Sequence, residues 1–281
     1  MNSFHPGKVW LDNCGVPINA HGGGILHHDG IYYWFGEHKI GGTAGNCAHV
    51  GIHCYSSRNL YDWKDEGIAL AVSDDAASPI VRGNIIERPK VVFCGSTRTF
   101  VMWFHLEQAG AYTRAKSGVA ISDRATGPYT LTGTMRPNAG HWPVNVRPEH
   151  QDTASIAAER ALGEGLDCAE NPETPRHNIL GRDMAGGQQA RDMTLFADID
   201  GRVYHIYSSE QNSTLHIAEL TPDFRSHSGN FARVFEHRWM EAPAVFRRKG
   251  KYYLFASGCT GWSPNTARSA NTRSRRCFSP A

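Results

Sequence analysis

Apolar and polar positions along this chain repeat one local shape four times. Gly23–Phe35, Glu87–Phe104, Asp192–Tyr207 and Glu241–Phe255 each hold a short apolar run, a polar turn that usually contains Asp-Gly or Lys-Gly, and a second run of aromatic and β-branched residues. That order predicts a β-hairpin at each place, because Gly-containing turns supply the positive φ that a tight connection needs between alternating strands. Behind the hairpins come further alternating runs at Val50–Ser56, Gly118–Ser122 and Thr214–Leu220, followed by polar turns at Ser57–Trp63, Asp123–Tyr129 and Thr221–Phe224. Meanders of three or four strands recurring along one chain predict the blades of an all-β propeller, with a β-sandwich as the alternative.

The repeat is unevenly spaced. Equivalent positions Tyr33, Val101, Tyr204 and Tyr253 lie 68, 103 and 49 residues apart. The long interval contains residues 135–190, rich in Pro, Gly, Asn, Glu and His, in which only Thr153–Gly163 has helical character. We read it as an inter-blade insertion within a single domain spanning 1–281, placed to wall one side of a pocket.

Composition narrows the function classes. With 281 residues, 40% of them hydrophobic and 20% charged, the chain can bury a sizeable core. Its net charge of +2 leaves no electrostatic footprint for nucleic acid or an anionic membrane. No apolar run reaches the ~18 residues of a membrane helix. Met1–Trp10 lacks the charged start and apolar stretch of a secretory leader, so the chain reads as cytoplasmic as it stands, or as secreted or periplasmic if a leader was removed. The seven cysteines form no Cys-x-x-Cys pair and read as buried small side chains. The fifteen histidines form no His-Glu-x-x-His, and His27-His28 reads as turn surface.

Carboxylates carry the candidate chemistry. Glu87, Asp192 and Glu241 each stand at the start of the first strand of a hairpin. Inner strands of a propeller surround its centre, so acids at one register converge on one pocket from different blades. Each acid taken alone also reads as a solvated strand start. Three together suit acid–base chemistry, and glycoside hydrolysis fits the layout: one carboxyl protonates the leaving oxygen, while a second group ~6.5–9.5 Å away activates water on the opposite face. Trp34, Trp103 and Trp262 could stack on sugar faces, although each is equally suited to packing between blades.

The residues that combine these features are Asn19–Leu26, Tyr33–Glu37, Glu87–Val91, Val101–His105, Arg191–Phe196, Glu241–Phe246 and Ser257–Asn265. Together they resemble glycoside hydrolase family 43, and within it the branch of exo-β-1,3-galactanases and related arabinogalactan-degrading enzymes. The resemblance runs from Trp10 to Asn265. It implies a five-bladed propeller and an inverting hydrolase. It implies Glu241 as the general acid and Asp192 as the acid that orients it and tunes its pKa. Glu37 and Glu87 then hydrogen-bond sugar hydroxyls, with His21, Trp103, Arg191, Thr260 and Trp262 as further substrate-binding positions.

Two departures from the family pattern stand out. The wider family carries a general-base aspartate on the first strand of blade one, where this chain reads Asn19-Ala20-His21. The galactanase-like branch uses a glutamine from its last blade instead, and that glutamine has no counterpart here. His21 is the first candidate to replace the base; a His that bonds a hydroxyl is the alternative. After Asn265 the family pattern would continue into a fifth hairpin, whereas residues 266–281 read as an atypical, truncated C-terminus lacking most of the last blade. The stretch Arg268–Arg276 resembles an altered reading frame more than an evolved strand.

The expected function is thus an exo-acting inverting glycoside hydrolase for galactan or arabinogalactan side chains, with activity reduced by truncation. An α-L-arabinofuranosidase or β-xylosidase of the same family, or a sugar-binding propeller without turnover, are the alternatives. The expected partner is an oligosaccharide or polysaccharide, with no nucleic acid and no membrane. No cofactor is required and no metal ligand is assigned; structural calcium is conceivable in such a fold, but no acidic loop of calcium spacing is present.

Overall fold

The computed structural model describes residues 3–151, 178–261 and 263–273. Turn chemistry sets the hairpins. Asp29 and Gly30, with φ of 49° and 73°, close β1 (His21–His28) onto β2 (Ile31–Lys39). Lys249 and Gly250, with φ of 48° and 73°, do the same between β13 (Met240–Arg248) and β14 (Lys251–Gly258). Two successive positive φ values define the turn whose twist matches that of the flanking strands. The other two predicted hairpins join β5 (Ile85–Cys94) to β6 (Thr99–Glu107) and β9 (Met193–Ala197) to β10 (Val203–Ser209).

Each hairpin grows into an up-and-down sheet. The first adds β3 (His49–Ser57) and β4 (Lys64–Ala71); the second adds β7 (Lys116–Ser122) and β8 (Thr130–Met135). The third adds β11 (Thr214–Leu220) and β12 (His227–Val234), and the fourth adds β15 (Arg268–Thr272). The resulting orders are β1-β2-β3-β4, β5-β6-β7-β8, β12-β11-β10-β9 and β13-β14-β15, with every neighbour consecutive in sequence. Four such meanders are propeller blades, and the fold is an all-β propeller. The fifth blade implied by the family resemblance is not among the described residues.

β15 lies within the stretch Arg268–Arg276. Its polar sequence has little strand propensity, yet it pairs with β14 from Tyr252↔Thr272 to Ala256↔Arg268, and the Arg268 guanidinium donates to the Arg238 carbonyl. The unpaired edge of β14 supplies a ladder, and pairing overrides propensity. The three acids lie at or near the starts of their strands. Glu87 is inside β5, two residues past its start; Glu241 is the second residue of β13; Asp192 directly precedes β9. Among the described residues of 135–190 there is no strand after Met135, only a 3-10 turn at Pro148–Gln151 and a short helix at Ile179–Asp183, capped by the Asn178 side chain. The helical expectation for Thr153–Gly163 lies outside the described residues.

The chain divides into two compact units. One comprises Met1–Tyr112 and Gly118–Thr134. Its two sheets bury Phe35, Ile52, Ile86, Met102, Phe104 and Tyr129 in one cluster, with Cys54 among them as a small apolar side chain. Trp63, fully buried, packs against Trp34 and Trp10 with ring centroids 5.3 and 6.2 Å away. Glycine is required at two close approaches in this unit. A Cβ on Gly23 would lie 2.1 Å from the Phe35 carbonyl oxygen, and one on Gly36 2.2 Å from the Ala20 carbonyl carbon, so neither position tolerates a side chain.

The other unit comprises Thr113–Ser117 and Met135–Ala281. Phe196, Tyr204, Ile206, Leu215, Ile217, Met240, Tyr252 and Leu254 form its core. The β10–β11 connection is conformationally costly, because Glu210, Gln211 and Asn212 all have left-handed φ, at 51°, 59° and 67°. Buried polar bonds hold it. Arg233 donates from Nε and Nη2 to the two Glu210 carboxylate oxygens, each at 2.7 Å, and the Gln211 amide donates to Gln189 Oε1 at 3.0 Å.

Candidate active site

One backbone device recurs at the predicted site positions. On β1, β5 and β13 the register slips directly after His21, Glu87 and Glu241, between His21/Gly24, Glu87/Lys90 and Glu241/Ala244. The residue after each site residue is left-handed: Gly22, Arg88 and Ala242 have φ of 59°, 56° and 49°. These are β-bulges, which re-aim a side chain and interrupt pairing. His21, Glu87 and Glu241 therefore occupy one equivalent position in three blades, opposite Glu37, His105 and Ser257.

The bulged amide has a use in each unit. In the first unit, Arg88 N–H donates to Glu37 Oε1 at 3.1 Å. In the second, Ala242 N–H donates to Asp192 Oδ2 at 3.0 Å. Each bond runs from the residue following a site acid to a carboxylate of the preceding sheet. Its effect is to fix that carboxylate against the bulged backbone. Within the second unit this bond ties Asp192 to the residue that follows Glu241.

The first unit surrounds its acids with donors. Glu37 is 1% exposed, and Lys39 Nζ lies 2.7 Å from its Oε2. Burial raises the Glu37 pKa, with Lys39 opposing and Glu87 adding to the rise. Glu87 accepts from the Tyr112 hydroxyl at 2.7 Å through Oε1 and meets His105 Nδ1 at 3.1 Å through Oε2. Burial alone would push the Glu87 carboxyl up, but the His105 and Tyr112 bonds and the His105 charge outweigh it and hold the group at about 2. His105 is buried, which favours its neutral form; the bonds to Glu107 and Glu87 win and raise it to about 9. Lys90 Nζ caps the bulge, donating to the carbonyls of Gly22, Arg88 and Pro89 at 3.2–3.3 Å.

In the second unit Arg191 is half-buried; its backbone amide donates to the Ser208 carbonyl and its Nη2 to Gln211 Oε1 at 3.0 Å. The strained turn is thus tied to the residue preceding Asp192. Thr260 is exposed in a loop, its hydroxyl donating to the Ser263 carbonyl and accepting from Asn265 Nδ2, both at 2.7 Å. Trp262 lies outside the described residues. Trp103 is a correction: it is fully buried, so no ring face is open to a sugar, and it belongs to the packing reading instead. His21 is exposed at the start of β1.

Several site residues escaped the sequence reading. Lys39, His105, Glu107 and Tyr112 acquire their roles only through pairing across strands and loops. The available signal was His105-Leu106-Glu107, two polar residues in alternation on a strand whose positions from Phe100 to Phe104 are apolar. As for cations, Glu87 and Glu107 are carboxylates of suitable type within the first unit, but both ring nitrogens of the histidine between them already face carboxylate oxygens.

A propeller whose equivalent blade positions present carboxylates on bulges has the architecture of a glycoside hydrolase. Comparison with known proteins agrees. The sequence model of the family described as glycosyl hydrolases family 43 matches residues 161–281. A GH43 β-1,3-galactosidase solved with galactodeoxynojirimycin is 46% identical, superposes with a TM-score of 0.82, and is covered over 77% of its length by 95% of this chain. An exo-β-1,3-galactanase from Clostridium thermocellum is 33% identical with a TM-score of 0.73, covering 95% of this chain and 49% of its own. A β-D-galactofuranosidase of Aspergillus niger is 26% identical over 117 residues, 40% of this chain and 33% of that protein. The chain therefore spans about a third of this curated relative and about half of the Clostridium enzyme. It belongs to glycosyl hydrolases family 43.

Proposed function

We propose that this chain removes terminal β-1,3-linked galactose from galactan or arabinogalactan-type chains by an exo-acting, inverting hydrolysis. The observation that carries the reading is the bulge after Glu241, whose Ala242 amide donates to the Asp192 carboxylate at 3.0 Å. The likeness to a β-1,3-galactosidase at 46% identity supports the choice of sugar.

In this mechanism Glu241 donates its proton to the glycosidic oxygen as the bond to the anomeric carbon breaks. Asp192, held by the Ala242 amide, is the residue that orients Glu241 for this transfer. Water adds from the opposite face, and its proton passes to a base. His21, at the register of Glu87 and Glu241, is the candidate base. Glu87 holds sugar hydroxyls, whereas Glu37, expected to do the same, is 1% exposed and occupied by the Arg88 amide and Lys39; binding energy spent at Glu87 fixes the ring for attack.

The test compares wild type with Glu241→Gln on β-1,3-galactan and on an aryl β-galactoside, following galactose release and the anomer first formed by proton NMR. Wild type is expected to release α-galactose first, and Glu241→Gln to lose release by at least ~10²-fold while still binding. Binding without release by wild type would make the chain a sugar-binding propeller. Release that survives in Glu241→Gln would remove the assigned acid.

A further inference from the structure

His105 meets a carboxylate at each ring nitrogen. Nδ1 lies 3.1 Å from Glu87 Oε2 and Nε2 lies 3.1 Å from Glu107 Oε1. Register makes this inevitable: Glu87 pairs with His105 across β5 and β6, and positions 105 and 107 share one face of β6. An ionised carboxylate can only accept, and a neutral imidazole has a single N–H. With both carboxyls ionised, the two contacts are satisfied together only by an imidazolium.

Glu107 is 0% exposed and His105 1%. A carboxylate so enclosed has no surface for a ligand, and burying it is unfavourable unless its charge is used. Within this unit the charged and titratable groups around His105 are Glu87 from β5, Glu107 from β6 and Tyr112, whose ring centroid is 6.0 Å away. Tyr112 in turn accepts from Asn46 Nδ2 at 2.6 Å, which directs its own proton to Glu87 Oε1. Each Glu87 oxygen thus receives one donor from the protein. A carboxylate oxygen can accept two, so each retains one lone-pair direction for a further donor.

We propose that Glu107 is a positioning residue: by keeping His105 doubly protonated it fixes Glu87 as an ionised, oriented acceptor for a vicinal pair of sugar hydroxyls. The inference rests on the galactoside reading above for its ligand, but the charge state of His105 is a property of the free protein. Glu107 acts through His105 and does not touch the sugar. Its contribution is expected in binding and not in bond cleavage.

Two measurements test it. In the sugar-free wild type, nitrogen-15 NMR at neutral pH, with the resonance assigned by His105→Gln, is expected to show both His105 ring nitrogens protonated. A neutral tautomer there overturns the proposal. Glu107→Gln, which keeps shape and removes charge, is expected to raise KM for β-1,3-galactobiose about tenfold with kcat within about twofold, because a charge-assisted bond is replaced by a neutral one. Glu107→Asp is expected to restore part of the loss. An unchanged KM in Glu107→Gln, or a fall confined to kcat, overturns the proposal. Failure of the functional reading looks different: wild type then releases no galactose, while the His105 nitrogen spectrum still reports on the relay.

Discussion

Replacing Arg233 by methionine should destabilise the second unit more than almost any other single change. Arg233 is 4% exposed and holds both Glu210 oxygens at 2.7 Å. Its Nη1 also donates to Glu236 Oε2 and to His150 Nδ1, each at 2.9 Å. Methionine fills the aliphatic volume but leaves the buried Glu210 charge facing only His216, 2.8 Å away. Removing one partner of a buried pair costs about 3–5 kcal/mol. For a body of this size that is a fall in Tm of roughly 6–20 °C, at ~2–4 °C per kcal/mol.

The deficit should depend on pH with a definite sign. Burial alone would raise Glu210, but bonds from His216 and Arg233 hold it at about 2, below its ordinary value of 4.5. In the wild type this stability is present above pH 4.5 and is lost as pH falls toward 2. Without Arg233 the carboxyl is driven upward, so protonation relieves the variant and its deficit narrows on acidification. Urea unfolding followed by circular dichroism at pH 7 and pH 4.5 measures both effects. The double variant Arg233→Met with Glu210→Leu should recover most of the loss, since an apolar pair needs no partner charge. A single variant within about 1 kcal/mol of wild type, or a double variant no better than the single, would refute the claim that this ion pair holds the turn.

Three further outcomes follow from the bulges and their carboxylates. Ala242→Gly should raise stability by about 0.5–1 kcal/mol and retain activity, because glycine adopts the φ of 49° without Cβ strain, whereas Ala242→Val should lower the melting temperature; differential scanning calorimetry compares them. Gly22→Ala should cost at least ~1 kcal/mol and raise KM, as its Cβ would lie 2.7 Å from Glu37 Oε1 at a φ of 59°; denaturant unfolding and galactoside kinetics read both. The Glu87–His105 pair should stabilise the first unit fully between pH 4.5 and 6.5. That stability should be lost as pH rises through about 9, where His105 deprotonates, and as it falls through about 2, where Glu87 is protonated; His105→Gln should flatten the alkaline limb of a stability profile.

Much of the fold is written locally. Asp29-Gly30 and Lys249-Gly250 specify hairpin turns by backbone chemistry alone, and alternation on β14 marks its buried face, whereas β6 and β10 are buried on both faces. β15 is the exception, since Arg268–Thr272 becomes a strand through the edge of β14 and not through its own residues.

The site divides the same way. Sequence by itself singled out Glu87, Asp192 and Glu241, because acids recurring at one position of a repeat are visible as a pattern, and added Glu37 and His21 through the family resemblance. It could not supply the bulges, whose left-handed Arg88 and Ala242 carry no glycine to announce them. Nor could it distinguish Trp103, enclosed by packing, from an exposed ring. The partners that set charge, Lys39, His105, Glu107 and Tyr112, lie across strands and loops from the carboxylates they serve. Which residues can ionise is a property of the chain; which of them are held ionised is decided by cross-strand register and burial, and these exist only in the folded sheets.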